Sequence, residues 1–286
     1  MSEFPRTVVG GVSMPRMIIG SNWFLGYSHC TPSQDKLIHE SFADYRTLAD
    51  LLEVFLNAGV DAVMGFGRNE LLQAGIHEAE QRTGRECTIV STPSLPHDRR
   101  TAAEGFDMDE IRRLLDGEVA CGATFCMPHT STTDDMVDNC TREVRHMAPV
   151  FAEMRQRGLV PGLSTHLPQT IVFTDETGLD AETYICIYNA MGFLMPLEVD
   201  WTQRIIQSAK KPVITIKPMA AGQIRPFQAF HFVWNTLRPQ DMVTVGCFTP
   251  DEAREVIELS LSILERRSAN LALQETRSKA TVKSAV

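Results

Sequence analysis

Eight short apolar runs, each bounded by turn residues, constrain this chain more than any other feature. They fall at residues 15–22, 60–66, 87–92, 122–129, 159–165, 184–189, 212–217 and 242–247. Most of the gaps between them are long enough for a helix. Buried runs of strand length alternating with helical patterns are the signature of parallel βαβ units. Eight such units predict a single (β/α)8 barrel domain over residues 1–286, a size that barrels commonly reach as one domain. In a barrel of this kind the chemistry sits where strands end and βα loops begin.

The intervening segments support this. Residues 47–58 carry apolar side chains at helical spacing and stop at Gly59; residues 69–83 do the same before Gly84. Further helices are expected at 107–115 and 197–209, and a long amphipathic one at 133–158, with Val137, Val144, Met147, Val150, Phe151 and Met154 on its stripe. Thr249-Pro-Asp-Glu is a helix start, with Thr at N-cap, Pro at N1 and acids in the first turn, for a helix through Leu264. Gly10-Gly11 suggests a hairpin at the barrel bottom, and residues 265–286 a helical extension or mobile tail. The loop from Trp23 to Pro32 is too long and too aromatic for a bare connector.

A formal charge of −9 without a basic stripe argues against a nucleic-acid partner or an anionic membrane surface. No apolar run reaches the ~18 residues that a membrane span requires. The cysteines, seven in number and without a C-x-x-C pair, point to a reducing cytoplasm and to buried thiols acting as small hydrophobes. A small-molecule substrate and a homo-oligomer are the partners expected.

The predicted strand ends gather Ser21, Asn22 and Trp23 after the first strand, Phe66 after the second, and Ser91 and Thr92 after the third. Cys126 and His129 follow from the fourth, Ser164 and His166 from the fifth, Tyr188 and Asn189 from the sixth, Lys217 from the seventh. His29 and Cys30 can reach inward from the first loop. His29, His129 and His166 could form a metal set, zinc being the ion that three protein ligands and an open position suit. Lys217 between apolar residues could lose its proton through desolvation and attack a carbonyl carbon. The loops after strands seven and eight, with Ala221, Gly222, Gly246 and Thr249, occupy the usual phosphate cradle of a barrel. Cys126 and His129 are an odd number of residues apart on a strand and so face opposite sides, which disfavours a thiol–imidazole pair. Asp134 and Asp135 are accounted for by helix-dipole complementarity.

In order along the chain, several blocks resemble the aldo-keto reductase superfamily. Ala58-Gly-Val-Asp-Ala resembles its second strand, and Ala123-Thr-Phe-Cys-Met-Pro-His129 the strand ending in its catalytic histidine. Arg157-Gly-Leu-Val-Pro-Gly-Leu-Ser-Thr-His166 resembles its GK-aliphatic-GxSN block, and Tyr188-Asn189 its sixth-strand YN. Ile216-Lys-Pro-Met-Ala-Ala-Gly222 and Val245-Gly-Cys-Phe-Thr-Pro-Asp-Glu252 are similar to its cofactor region. The resemblance implies this barrel type over residues 13–262 and a tetrad of Asp, Tyr, Lys and His serving nicotinamide-dependent carbonyl reduction. Only His129 is in place. The aspartate aligns with Met64-Gly65-Phe66, the tyrosine falls in Phe66-Gly67-Arg68, and the lysine near Thr92-Pro93-Ser94. A phenol acid needs its proton and a lysine that lowers its pKa.

NADPH is therefore not the favoured cofactor. The sequence predicts non-redox acid–base chemistry, of lyase, isomerase or hydrolase type, on a polar carbonyl or sugar-like substrate. His129 would be the acid/base, His166 its partner or a metal ligand, and Lys217 the group holding an anion or carbonyl. Asn22, Trp23, Tyr27, Ser164, Tyr188 and Asn189 would bind the substrate. The alternatives are an NADPH-dependent carbonyl reductase with a rebuilt tetrad, with Tyr27 as a substitute acid, and a non-enzymatic ligand-binding or assembly subunit.

Overall fold

The computed structural model describes residues 3–272 and Lys279. The chain starts with an antiparallel hairpin, β1 (Arg6–Val9) and β2 (Val12–Pro15), turned by Gly10 and Gly11 at φ 54° and 84°. The eight barrel strands follow: β3 (Met17–Gly20), β4 (Ala62–Gly65), β5 (Thr88–Ser91), β6 (Ala123–Cys126), and, after a small hairpin β7 (Val137–Asp138) and β8 (Glu143–Val144), β9 (Val160–Thr165), β10 (Thr183–Ile187), β11 (Val213–Ile216) and β12 (Met242–Val245). All neighbours pair in parallel and β12 closes on β3, so each of the eight apolar runs supplies one stave.

The staves sort their side chains by alternation. Ile18, Ala62, Met64, Val90, Phe125, Val160, Ile185, Ile214 and Met242 fill the interior together with Val9 and Met14 of the hairpin, which plugs the bottom. Outward residues such as Met17, Ile19, Val63, Cys126, Tyr184 and Val243 pack under the helices. These are α1 (Pro32–Ser41), α2 (Tyr45–Asn57), α3 (Glu70–Thr83), a single turn α4 (Thr101–Glu104), α5 (Met108–Ala120), a single turn α6 (Thr130–Thr133), α7 (Met147–Gln156), α8 (Gln169–Thr177), α9 (Val199–Ser208), α10 (Pro226–Thr236) and α11 (Pro250–Leu264). Local chemistry sets their ends: Asp44, Asn69, Asp107 and Thr249 cap N-termini through side-chain oxygens, and Gly84 and Gly178 close C-termini at φ near +70°. Burial then secures them. Helix α2 alone hides Leu48, Leu51, Leu52, Phe55 and Leu56, each worth about 1.5–3 kcal/mol of transfer free energy.

The long helix expected over 133–158 does not form. Only α7 is regular helix there; the first half is α6, a 3-10 turn and the β7–β8 hairpin. Asp138 Oδ1 accepts the Cys140 N–H at 2.7 Å, and Arg142 and His146 take left-handed φ values of 58° and 60°. Side-chain capping of the local backbone outcompetes a helical ladder in this Asp- and Thr-rich segment. The apolar stripe is buried nonetheless from Val144 onward. Of the expected C-terminal extension, α11 ends at Leu264, and residues 273–278 and 280–286 lie outside the described part. Among the described residues no helix is long and apolar enough to cross a membrane.

Candidate active site

At the C-terminal ends of the staves a cavity of about 540 Å³ opens. Its lining includes Asn22, Trp23, Tyr27 and His29 from β3 and its loop, His129 after β6, Ser164 and His166 at the end of β9, and Lys217 after β11. All the residues expected to act in catalysis, and most of those expected to bind substrate, are thus brought to one place.

Lys217 stands at the centre of this group electrostatically. Burial pulls its ammonium pKa down to about 8, and its charge in turn disfavours protonation of the surrounding imidazoles. His29, His129 and His166 are all lowered, by burial first and by Lys217 second; His166 falls to about 4. At pH 7 the mouth therefore holds one amine, still mostly protonated, among three largely neutral imidazoles. Lys217 Nζ lies 3.1 Å from His29 Nε2, and its backbone is left-handed, at φ 61°. A side-chain residue held there stores strain on the order of 1 kcal/mol.

The tautomer of His129 follows from its position at the start of α6. Its Nδ1 accepts the Ser131 backbone N–H at 3.2 Å and lies 2.9 Å from Ser131 Oγ. An N–H can only donate, so Nδ1 carries the lone pair and the proton of the neutral ring is on Nε2. That leaves His129 as a hydrogen-bond donor at Nε2.

Asp134 has a role that sequence reasoning missed. Its carboxylate accepts from Thr130 Oγ1 at 2.7 Å, from Thr165 Oγ1 at 2.5 Å and from the His166 N–H at 3.2 Å. It thereby ties the loop carrying His129 to the strand end carrying His166, and the helix-start explanation was incomplete. The dense Thr-Ser-Thr-Thr-Asp run directly after His129 was the available signal. Arg225 and Glu255, from the α10 and α11 ends of the cavity, were also missed.

Several expected residues lie elsewhere. The Tyr188 ring is buried against Phe232, and its hydroxyl bonds Thr236 Oγ1 at 3.1 Å, so it faces the helices. Asn189 is buried and folds the following loop, accepting the Met191 and Phe193 N–H groups and donating to the Phe193 carbonyl. Ser91 also points outward and bonds the buried Glu118 at 2.5 Å, and Cys126, the last residue of β6, is buried beneath the helices while His129 lines the cavity. Phe66 stands beside the mouth, between Tyr27 and His129, at ring-centroid distances of 6.4 and 5.8 Å.

The phosphate cradle is only half realised. Ala221, Gly222 and Gly246 line the cavity, with the Trp23 ring pressed against Gly246 so that a Cβ there would come within 2.5 Å. Thr249 does not line it. Its Oγ1 caps the Glu252 N–H at 3.2 Å while the Glu252 carboxylate accepts the Phe248 N–H, one residue before the cap, at 2.6 Å. Two of the N–H groups near this helix start are thus in use, and Glu252 and Glu255 line the cavity. The metal set fares no better: among the described residues no three His, Cys, Asp or Glu side chains group to hold an ion, and His29 Nε2 contacts Lys217.

No family model matches the chain, and no curated protein matches it in sequence. Solved structures do match in shape. A protein from Pseudomonas aeruginosa described as an aldo-keto reductase aligns at TM-score 0.63 and 15% identity, over 91% of this chain and 96% of that one. A structure described as 2,5-diketo-D-gluconic acid reductase B aligns at TM-score 0.58 and 12% identity, over 96% and 95%. An aldo-keto reductase from a deep-sea metagenome library aligns at TM-score 0.57 and 10% identity, over 95% and 98%. The chain is a (β/α)8 barrel. More particularly, it is a barrel similar in fold to structures described as aldo-keto reductases.

Proposed function

We propose that this chain is an enzyme acting on a small polar carbonyl compound, with Lys217 as the reacting amine and His129 as the group that polarises the carbonyl. The observation that carries the reading is the burial of Lys217, which brings its pKa to about 8 among imidazoles held neutral. About a tenth of such an amine is unprotonated at pH 7, against well under a thousandth at an ordinary lysine pKa. The free amine can add to a carbonyl carbon while the oxygen takes a proton; loss of water then leaves an iminium on Lys217. His129 Nε2–H is suited to donate to the carbonyl oxygen as charge develops on it. With a pKa near 4, His166 is a weak base and acts as a neutral hydrogen-bonding wall. Ser164, Asn22 and Tyr27 surround the same space and would orient polar groups of the substrate. An iminium acidifies the adjacent carbon, which supports a lyase- or isomerase-type reaction.

The test is reductive trapping. Incubation with glycolaldehyde and borohydride should add one unit to Lys217, located by peptide mass spectrometry, at a rate rising with pH toward 8. Labelling spread evenly over surface lysines, or unchanged in Lys217→Met, would end this reading.

A second reading, a nicotinamide-dependent carbonyl reductase, is favoured by the similar structures, whose descriptions are reductases. The carboxylates and the self-capped start of α11 fit a dinucleotide phosphate poorly. Quenching of Trp23 fluorescence by micromolar NADH or NADPH, with no trapping at Lys217, would select the reductase.

A further inference from the structure

We propose that the first loop, residues 23–31, is a clasp closing the mouth, and that His29 on it is a positioning residue for the Lys217 amine. The inference rests on the reading of Lys217 as the reacting group.

Two contacts join the clasp to the loop after β11. Lys217 Nζ meets His29 Nε2 at 3.1 Å, and Cys30 Sγ donates to the Ala221 carbonyl at 3.2 Å. The stem is firm. Asp35 Oδ1 on α1 accepts both the N–H and the hydroxyl of Ser28, at 2.8 and 2.6 Å. The tip and its receiver are not. His29 sits at φ 60° and faces Lys217 at 61°, Ala220 at 49° and Ala221 at 55°, all left-handed without being glycine. Each such residue stores on the order of 1 kcal/mol, held only by its surroundings. Strained backbone on both sides of a two-bond junction makes an element that opens as a unit when the junction breaks.

Closure also orders the amine. An ammonium can only donate, so at 3.1 Å the His29 Nε2 accepts an N–H of Lys217. One amine position is then fixed on the loop, and the remaining positions point to the cavity that His129 and His166 line. His29 touches the amine but need not touch substrate.

Backbone hydrogen exchange and trinitrophenylation of Lys217 by trinitrobenzenesulfonate test this on the full chain, in wild type, His29→Ala and His29→Gln. In His29→Ala, exchange should quicken about tenfold in both 23–31 and 217–225, with barrel peptides unchanged, and Lys217 should be trinitrophenylated several-fold faster. Gln keeps an acceptor and should restore both to within about twofold of wild type. Exchange in 217–225 that ignores His29→Ala, or no rescue by Gln, overturns the proposal. Glycolaldehyde trapping, run on the same variants, separates the two ideas: coupled exchange without trapping removes the imine chemistry and keeps the clasp, whereas trapping without coupling does the reverse.

Discussion

Replacing Lys217 by methionine should make the protein more stable while abolishing its carbonyl chemistry. The ammonium is lowered from 10.5 to about 8 by burial alone. A folded-state pKa below the unfolded one means that the unfolded chain binds more protons between those values, so the charge penalty is complete below pH 8 and gone above 10.5. At about 1.4 kcal/mol per unit the shift corresponds to roughly 3 kcal/mol. Partial exposure of the side chain, and loss of the bond to His29, reduce the gain from Lys217→Met to about 1–2 kcal/mol at pH 7. Urea unfolding followed by tryptophan fluorescence at pH 7 and pH 10 reads it directly. The expected result is a higher midpoint at pH 7 with an unchanged slope, shrinking toward zero as wild type itself loses the proton. A variant that is equally or less stable at pH 7, or whose difference does not depend on pH, would refute the argument that Lys217 is held against a desolvation cost. Strain relieved at the amine's expense is the usual stability–function trade-off of a reactive site.

His166→Gln should flatten the acid limb of stability. Wild type loses stability as pH falls from 6.5 to about 4, where the unfolded imidazole is protonated and the folded one is not, and the variant should retain about 1–2 kcal/mol more at pH 4, read by thermal unfolding across that range. Thr249→Ala should cost about 1 kcal/mol of stability through lost capping of α11, with glycolaldehyde trapping at Lys217 unaltered. A loss of trapping with no loss of stability would restore the phosphate-cradle role to Thr249.

Much of this protein was legible in its sequence because the signals were local. A strand buried on both faces must be apolar through its length, so each of the eight runs marked a stave, and Gly84, through its left-handed backbone, and Thr249, through its side-chain oxygen, announced helix ends. Strand ends then placed His129, His166 and Lys217 at one mouth. Residues 133–146 misled because an apolar stripe is compatible with more than one backbone, and the Asp138 turn, which needs only neighbouring N–H groups, decided against a helix.

What the sequence could not supply was which way a side chain faces just past the strand, where alternation lapses. Tyr188 and Asn189 turned to the helices and to their own loop, while Asp134, read as a helix-start acid, reached across to β9. Nor could it reveal that His29, 188 residues from Lys217, bonds its amine. Sequence by itself determined the staves, their order and a histidine and a lysine at their ends, since periodicity and capping act over a few residues. Only tertiary structure decided the protonation of that lysine and of the imidazoles around it, since desolvation and through-space charge depend on neighbours that the closed barrel alone brings together.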